Sequence, residues 1–274
     1  TKLNQTYWPN WLCRMLPSMG DPAGLLLASV DNAHFTRAVS ALKFGNTFKT
    51  TERSRYPLTI KALQNIDLLS DGIILDVGAS DGVGSLDAIK SLPHSQYFVT
   101  DLNTSIKHIE DGGKHYFFDS SGQCILISSQ RFVWYKDLHN AIWPFKQLAC
   151  EAFSGAPTVN QLPCKTINLY NSEIIHRSGV TVQNHNLFEP WGGAKPSLII
   201  AANILNRSYF TDKELTRAIS RLIKNLKGDG YLAIVDSRKQ ERASLFCVTA
   251  GKLELLDSIN GGAETQALTL SITL

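Results

Sequence analysis

Short apolar runs, bounded by glycine, proline and acidic residues, recur through the central part of the chain. Ile73 to Val77 forms one such run, and Leu198 to Ala201 and Tyr231 to Val235 form two more. Runs of this length without alternation are typical of parallel strands that are buried on both faces. A helical pattern follows the first run from Ser85 to Leu92, and Pro93 ends it. The order of strand, glycine turn and helix predicts a βαβ unit.

The two ends of the chain carry different patterns. Residues 1–66 have apolar positions at spacings of three and four, which predicts a mainly helical segment. Thr211 begins a helix whose apolar positions continue to Leu226. Leucines alternate with other residues at Leu253 and Leu255 and again from Leu268 to Leu274, which predicts antiparallel strands. We therefore expect an α/β fold, with a mostly parallel sheet, helices on both faces and antiparallel closing strands.

Residues 113–165 do not follow the alternation of predicted strands and helices. Two apolar segments flank Ser120 to Gln123, which predicts a β-hairpin. The residues after it are rich in aromatic side chains: Phe132, Trp134, Tyr135, Trp143 and Phe145. Because a connection of this length is usually functional, we expect an inserted hairpin and aromatic lid. The sequence thus predicts a helical N-terminal cap over residues 1–66 and a core over residues 67–274, with an insertion at about 113–165.

The segment from Asp76 to Gly84 (Asp-Val-Gly-Ala-Ser-Asp-Gly-Val-Gly) combines a predicted strand end, three glycines and a helix start. Such a loop lets a ligand approach the backbone and the helix amino terminus. It lacks the lysine of a phosphate-binding loop, and its glycine spacing differs from that of dinucleotide-binding loops. A carboxylate at Asp76 would repel a pyrophosphate but suits a cationic or zwitterionic ligand. S-adenosylmethionine, with an ammonium group, a sulfonium and no phosphate, fits this requirement.

The same loop resembles the first motif of class I S-adenosylmethionine-dependent methyltransferases. Asp101, 25 residues after Asp76, is similar to the acid of their second motif. Three further segments, Asn186–Pro190, Leu198–Leu205 and Leu226–Leu232, resemble later motifs in the same order. The resemblance covers about residues 56–240 without the insertion, and it implies a Rossmann-like fold with a seven-stranded sheet.

The resemblance also implies roles for individual residues. Asp101 would hold the ribose hydroxyls, Asn186 would approach the adenine amino group, and Arg53 would pair with the cofactor carboxylate. Asn186 stands where the family usually has an acid, and a simple turn role stays open for it, as does a solvated helix face for Arg53. The implied cofactor-binding set is Asp76, Gly78, Ala79, Ser80, Gly82, Gly84, Asp101, Leu102, Asn186, Leu187, Asn203 and Arg53.

No catalytic residue stands out in the sequence. Weak candidates are His185, Tyr135 and Asn203, and His139 and His176 are further candidates for a general base. A base is not required in every case, because the sulfonium is an activated leaving group and positioning supplies much of the rate.

Composition narrows the choice of partners. The formal net charge is +3, which does not indicate nucleic-acid binding, although residues 1–66 hold eight Lys or Arg and only three acidic residues. The five cysteines form no CxxC pair, so we expect no metal, no disulfide framework and a cytoplasmic protein. No apolar stretch has the length of about 18 residues that a transmembrane helix needs.

Four functional hypotheses remain. The leading one is a methyltransferase with a small-molecule acceptor. The second is a protein carboxyl or nucleic-acid methyltransferase. Asn203–Phe210 is also similar to a segment of chemotaxis-receptor carboxyl methyltransferases, which indicates a related core and not a shared substrate. The third is a cofactor-binding partner subunit without catalysis. The fourth is peripheral membrane contact through Trp134, Tyr135, Trp143 and Phe145. The sequence predicts neither the acceptor atom nor the oligomeric state.

Overall fold

The computed structural model describes residues 1–27, 31–45, 47–68, 72–136, 145–237, 239–249 and 251–273. The chain forms two compact units. Unit one comprises Thr1–Thr50 and Asn103–Asn171, and unit two comprises Thr51–Leu102 and Ser172–Leu274. Both contain helices and strands, so the predicted α/β class is confirmed.

The helices are α1 (Asn10–Met15), α2 (Asn32–Ser40), α3 (Pro57–Leu63), α4 (Leu86–Ser91), α5 (Phe145–Ser154), α6 (Ser172–Ile175), α7 (Asp212–Asn225) and α8 (Gln266–Leu270). The strands are β1 (Lys2–Asn4), β2 (Ser18–Met19), β3 (Lys43–Phe44), β4 (Thr47–Phe48), β5 (Ile73–Val77), β6 (Gln96–Asp101), β7 (Ser105–Asp111), β8 (Lys114–Phe118), β9 (Cys124–Ser129), β10 (Phe132–Tyr135), β11 (Lys165–Asn168), β12 (Val180–Asn184), β13 (Leu198–Ala202), β14 (Tyr231–Asp236), β15 (Arg242–Thr249) and β16 (Lys252–Ile259). Single 3₁₀ turns occur at Pro22–Leu26 and Val83–Ser85.

The sheet of unit two has the order β12-β6-β5-β13-β14-β15-β16 over the described residues. The five strands from β12 to β14 run parallel, and β15 and β16 are each antiparallel to their neighbours. The chain proceeds from β5 outward to β6 and β12, and it then returns to β13 on the other side of β5. Ligands bind outside the carboxyl ends of the strands at such a switch point. The loops after β5, β6, β12 and β13 therefore surround the candidate site.

Helix α7 shows how the sequence builds this unit. Thr211 caps the helix through a capping box with Glu214, as the sequence predicts at this position. Its apolar side, which includes Leu215, Ile219 and Leu222, is fully buried against strands β5, β13 and β14. Burial of each such side chain is worth about 1.5–3 kcal/mol. This packing fixes the parallel strands whose ends carry the glycine loop.

The prediction of a closing strand near Leu268–Leu274 is wrong. Residues Gln266–Leu270 form α8, and the antiparallel strands that close the sheet are β15 and β16, which include the predicted Leu253 and Leu255. Leu268 and Ile272 both pack against the core of unit two, whereas Leu270 is exposed. A spacing of four satisfies a helix as well as an alternating strand, so the pattern alone did not distinguish them.

Unit one contains a second sheet, with the order β11-β7-β8-β9-β10-β1-β2 over the described residues. Its strands are antiparallel except for β1 and β2, which pair in parallel on either side of α1. The predicted hairpin is confirmed as β8 and β9. The aromatic residues Phe132, Trp134 and Tyr135 lie in β10, and Trp143 lies outside the described residues. The lid role of this segment stays a prediction.

The helices predicted for the N-terminal segment are present, but short strands accompany them. Residues 1–66 contain α1, α2 and α3, but they also contain β1 to β4. Strand β1 pairs with β10, where Leu3 lies opposite Phe132. Leu3 and Phe132 are far apart in the sequence, and a strand of three residues is too short to show an alternation of apolar and polar positions. The boundaries of the compact units consequently differ from the predicted division at residue 66. No helix in the described ranges has the length and apolarity needed to cross a bilayer.

Candidate functional site

The glycine loop after β5 follows an unusual backbone path. Gly78, Ser80 and Gly82 have φ angles of +69°, +61° and +83°. A Cβ atom on Gly78 would lie 2.9 Å from Cγ1 of Ile204, and one on Gly82 would lie 3.0 Å from Cγ1 of Ile174. Both positions therefore require glycine for conformation and for space. Ser80 adopts the left-handed conformation without being glycine, and such strain is concentrated at functional sites.

Hydrogen bonds fasten this loop to the neighbouring strand β6. Ala79 donates its backbone N–H to the carbonyl oxygen of Thr100 over 2.9 Å. Ser80 donates its backbone N–H to Oδ2 of Asp101, also over 2.9 Å. Asp101 is half-buried and is the last residue of β6. The structure thus brings Asp101 and the glycine loop together, as their positions in the sequence suggest.

Asp76 lies beneath the loop and is 1% exposed. Its Oδ2 accepts hydrogen bonds from the hydroxyl of Ser85 at 2.7 Å and from that of Tyr97 at 3.1 Å. Burial raises the pKa of Asp76 to about 6, although both hydrogen bonds lower it. Asp76 therefore braces the loop against the helix start and strand β6.

Sequence reasoning missed Ser85 and Tyr97 as partners of this carboxyl. The available signal for Tyr97 was its hydroxyl group, directly before the apolar Phe98 and Val99 in a predicted strand. Tyr56 belongs to the same buried region, since burial and then the charge of Asp76 raise the pKa of its phenol. The pKa of Tyr97 is raised in the same way, by burial first and by Asp76 next. Both phenols consequently stay protonated, and that of Tyr97 donates its hydrogen to Asp76.

The end of β12 lies beside Asp101. Asn184 is the register partner of Asp101, and His185 donates its backbone N–H to the Asp101 carbonyl oxygen over 3.0 Å. Oδ1 of Asn186 accepts a hydrogen bond from the backbone N–H of Phe188 at 3.1 Å. Asn186 therefore stabilises a turn, which is the alternative to adenine binding that the sequence left open. Leu187 is partly buried against the core of unit two.

Leu102 and Gly84 occupy contrasting environments beside this loop. The side chain of Leu102, directly after Asp101, is 55% exposed. Its backbone carbonyl oxygen accepts a hydrogen bond from the amide of Asn184. Gly84 has an ordinary φ, and a Cβ atom there would lie 3.3 Å from the hydroxyl of Thr51. Leu102 thus offers apolar surface next to the Asp101 carboxylate, whereas Gly84 permits close packing.

Asn203 follows β13 with a φ of +60°. Its Oδ1 accepts the backbone N–H of Ser237 at 2.7 Å, and its Nδ2 donates to the Ser237 hydroxyl at 2.9 Å. Asn203 thereby ties the carboxyl end of β13 to that of β14. This side chain holds the backbone after β13, and none of the side-chain partners found for it within the described residues is an acid or a base.

His185 packs perpendicular to Trp191, with ring centroids 5.2 Å apart. Burial lowers its pKa, and Glu189 opposes this effect. Its Nε2 atom is buried and has no hydrogen-bond partner among the residues that the structure describes. A neutral imidazole at the end of β12 therefore retains unused hydrogen-bonding capacity beside the Asp101 strand.

The other suggested bases are less suitable or lie outside the described residues. Tyr135 belongs to the core of unit one and donates its hydroxyl to the carbonyl oxygen of Ala41 over 2.8 Å. Burial raises its pKa, which opposes action as a base at neutral pH. His176 is exposed after α6, and His139 falls in a range that is not described.

Arg53 pairs with Glu173, and both side chains belong to unit two. The structure thus gives this guanidinium a carboxylate partner from the protein itself. Over the described part of the chain, no three His, Cys, Asp or Glu side chains are grouped so that they could hold a metal ion.

No protein-family model matches the chain, and no curated protein matches it in sequence. Among solved structures, it is similar to the YcgJ protein from Bacillus subtilis, at 12% identity and a TM-score of 0.33, over 66% of this chain and 50% of that one. It is similar to LepI in complex with S-adenosylmethionine, at 14% identity and a TM-score of 0.34, over 74% of this chain and 35% of that one.

The chain is also similar to phosphoethanolamine N-methyltransferase 1 of Haemonchus contortus, at 12% identity and a TM-score of 0.32, over 66% of this chain and 27% of that one. The chain spans half or less of the length of these three proteins. Structures of S-adenosylmethionine-dependent methyltransferases are thus among those that the chain resembles, at low sequence identity.

Proposed function

We propose that the chain is an S-adenosylmethionine-dependent methyltransferase that acts on a small-molecule acceptor. The observation that carries this proposal is the hydrogen bond from the Ser80 backbone to the Asp101 carboxylate, at the carboxyl edge of a parallel sheet. It places an acid beside a glycine loop at the switch point, where a nucleoside can lie across two strand ends. The cofactor supplies an activated methyl group on a sulfonium.

Asp101 is suited to the ribose of such a cofactor. A carboxylate has about four acceptor positions, so Asp101 can receive ribose hydroxyls in addition to the Ser80 N–H. Its orientation is set by that backbone bond before a ligand arrives, which lowers the cost of binding. We assign Asp101 to the two ribose hydroxyls on these grounds.

The loop supports a ligand without phosphate. No lysine or arginine lies between Asp76 and Gly84, and the carboxyl beneath the loop is the Asp76 side chain. A pyrophosphate would be placed close to that carboxyl, whereas a sulfonium and an ammonium group carry the opposite charge. We assign Gly78, Ala79, Ser80, Gly82 and Gly84 to the close backbone approach of the cofactor.

The adenine lies, in this proposal, against the exposed side chain of Leu102, with Asn186 and Leu187 at the end of β12. Leu102 provides an apolar surface one residue after the acid that binds the ribose. Asn186 uses Oδ1 in its own turn, and its side-chain amide group can still donate a hydrogen bond.

The methionine end of the cofactor falls toward β13, where Asn203 holds the backbone. Arg53 would bind the cofactor carboxylate only by exchanging Glu173 or by holding both carboxylates, because it is already paired. We therefore regard Asn203 as a positioning residue and Arg53 as the weaker of the two assignments.

Catalysis by this site rests on positioning. Alignment of acceptor and methyl group supplies rate without a proton transfer when the acceptor is already nucleophilic. Where a base is needed, His185 fits best among the candidates, because burial keeps its imidazole neutral. Tyr135 fits less well, since its phenol is buried and donates to a backbone carbonyl.

Calorimetry with S-adenosylhomocysteine, S-adenosylmethionine and NAD tests the cofactor assignment. We expect both adenosyl compounds to bind and NAD not to bind, and binding of NAD alone would reject the proposal. A screen of fractionated metabolites with radiolabelled methyl donor then tests the acceptor class. Transfer to protein or nucleic acid alone would favour the second enzyme hypothesis. Cofactor binding without transfer to any fraction would favour a non-catalytic partner subunit.

A further inference from the structure

Helix α1 in unit one exposes large apolar side chains. None of its residues is buried, and Trp11 and Met15 are 63% and 75% exposed. They are four residues apart and therefore share one face of the helix. Tyr7 and Leu16, just before and just after the helix, are exposed as well. We call these four residues the α1 face. Exposed apolar groups of this kind mark an interaction surface.

The α1 face is presented by an anchored element. Helix α1 connects β1 and β2, which pair in parallel with Leu3 opposite Ser18. Leu3 donates its backbone N–H to the carbonyl oxygen of Pro17 over 2.8 Å. Trp8 donates its indole N–H to the carbonyl oxygen of Arg131 over 2.9 Å. The helix is thus fixed at both ends, while Trp11 and Met15 between these attachments stay exposed.

Two exposed arginines accompany the α1 face. Arg14 lies on the helix, three residues from Trp11, and the guanidinium of Arg131 is 5.4 Å from the ring centroid of Tyr7. Within the described ranges, neither arginine forms an ion pair with a carboxylate. None of the residues 1–20 is acidic. The surface is therefore both apolar and positively charged.

We propose that the α1 face docks on the surface of an anionic lipid bilayer. Tryptophan and tyrosine side chains favour the interface between water and lipid, and arginines beside them would contact the phosphates. A second copy of the chain fits less well, because a self-complementary contact would bring Arg14 and Arg131 of both copies together without an opposing acid. The residues that the sequence suggested for membrane contact are different, since Tyr135 is buried and Trp134 packs in a core cluster of unit one.

Vesicle sedimentation of the full chain tests this proposal. We expect it to sediment with vesicles of phosphatidylcholine and phosphatidylglycerol in equal parts, and not with phosphatidylcholine alone. Replacing Trp11 and Met15 together by serine should lower the partition coefficient by about tenfold or more, since two large apolar side chains no longer enter the interface. Arg14→Gln should lower it by about fivefold, as expected for one cation at an anionic surface.

Matched variants distinguish the α1 face from general effects. Leu256→Ser removes an exposed leucine of unit two, and Arg37→Gln removes an exposed arginine of unit one; neither should change vesicle binding. The replaced α1 side chains are exposed, so circular dichroism should show unchanged folding in all variants. Absence of sedimentation with anionic vesicles, or binding that survives the Trp11 and Met15 replacements, overturns the proposal. So does a dimer seen by light scattering that those replacements dissociate, because a second copy would then cover the face.

Discussion

Ser80 and Asp101 are joined by a hydrogen bond of 2.9 Å from a backbone N–H to a carboxylate oxygen, although they are 21 residues apart in the chain. Ser80 holds a left-handed conformation at the donor end, and Asp101 ends strand β6 at the acceptor end. Because β5 and β6 are adjacent in the sheet, the bond links two neighbouring strand ends. The carboxylate is therefore oriented by the fold itself.

The first prediction concerns this carboxylate. Asp101→Ala should weaken S-adenosylhomocysteine binding by about 1.5–3 kcal/mol, because hydrogen bonds to a charged group are lost. That loss corresponds to about a 10- to 150-fold increase in Kd. Isothermal calorimetry of the purified protein measures it directly.

Asp229→Ala is the matched control, since Asp229 is an exposed acid in the turn before β14. It should leave the affinity unchanged. Asp101→Asn keeps an acceptor for the Ser80 N–H, so it separates loss of the ligand contact from loosening of the loop. An unchanged Kd in Asp101→Ala would reject the assignment of Asp101 to the ribose.

The sequence predicted the parts of this site that local patterns encode. A buried strand, glycines at Gly78 and Gly82, and an acid at the end of the next strand are all visible without a structure. Parallel strands place their carboxyl ends on one edge, so the proximity of Asp101 to the loop followed from the βαβ pattern.

Contacts between distant parts of the chain could not be predicted in this way. The contact of Tyr97 with Asp76 depends on which strand lies beside β5 and in which register. The contact of Ser85 depends on how the glycine loop folds back over Asp76. Strand β1 has only three residues, which are too few for the sequence pattern to predict its pairing with β10. In the structure, Oδ1 of Asn186 accepts a local hydrogen bond that forms a turn, and the same oxygen is the atom that would accept one from a ligand. The sequence does not show which of these two hydrogen bonds is favoured.

The second prediction concerns Gly78. Gly78→Ala should destabilise the fold, because alanine would adopt a φ of +69° and its Cβ would lie 2.9 Å from Cγ1 of Ile204. The strained conformation alone costs about 1–2 kcal/mol, and the close contact adds to it. Urea unfolding measures the difference in the free energy of unfolding.

Gly251→Ala isolates the conformational part of this effect. Gly251 has a φ of +75°, and its added Cβ would meet no atom within 4 Å. It should therefore cost less than Gly78→Ala. Combining Gly78→Ala with Ile204→Ala removes the contacts with Cγ1 and Cδ1 and leaves the one with Cβ at 3.0 Å. The double variant should therefore lose less stability than the sum of the two single variants. Strict additivity would show that Ile204 does not restrict the loop.

The third prediction follows from the buried carboxyl of Asp76. Its pKa in the fold is raised from 3.8 to about 6, so the folded protein binds this proton more tightly than the unfolded chain does. The stabilisation by that proton is complete below about pH 4 and is lost as the pH rises through about 6. Compared with Asp76→Asn, the wild-type free energy of unfolding should fall by roughly 3 kcal/mol in total, from well below pH 4 to well above pH 6.

Urea unfolding at a series of pH values gives this difference. Asp229→Asn serves as the control, because it removes a carboxyl from an exposed turn and should follow the wild-type curve. If Asp76→Asn also ran parallel to the wild type across the range, Asp76 would have no raised pKa. Ionisation of this buried carboxyl would then cost little free energy in the folded protein.

The fourth prediction separates the two roles of Asn203. Asn203→Ala loses the acceptor for the Ser237 N–H and places alanine at a φ of +60°, which together should cost about 1–3 kcal/mol of stability. Ser237→Ala removes only the hydroxyl partner and should cost about 0.5–1.5 kcal/mol. Urea unfolding and calorimetry with S-adenosylhomocysteine give stability and affinity for each variant.

We expect Asn203→Ala to lower both stability and affinity, because the residue after β13 loses its side-chain hydrogen bonds to Ser237 after β14. Ser237→Ala should leave affinity nearly unchanged, since the backbone bond from Ser237 to Asn203 persists in that variant. Asn203→Gly accepts the positive φ without strain, so it should recover stability that alanine loses but not the affinity. Full affinity in Asn203→Gly would show that the side chain neither contacts nor positions the cofactor, and Asn203 would then serve only the backbone conformation.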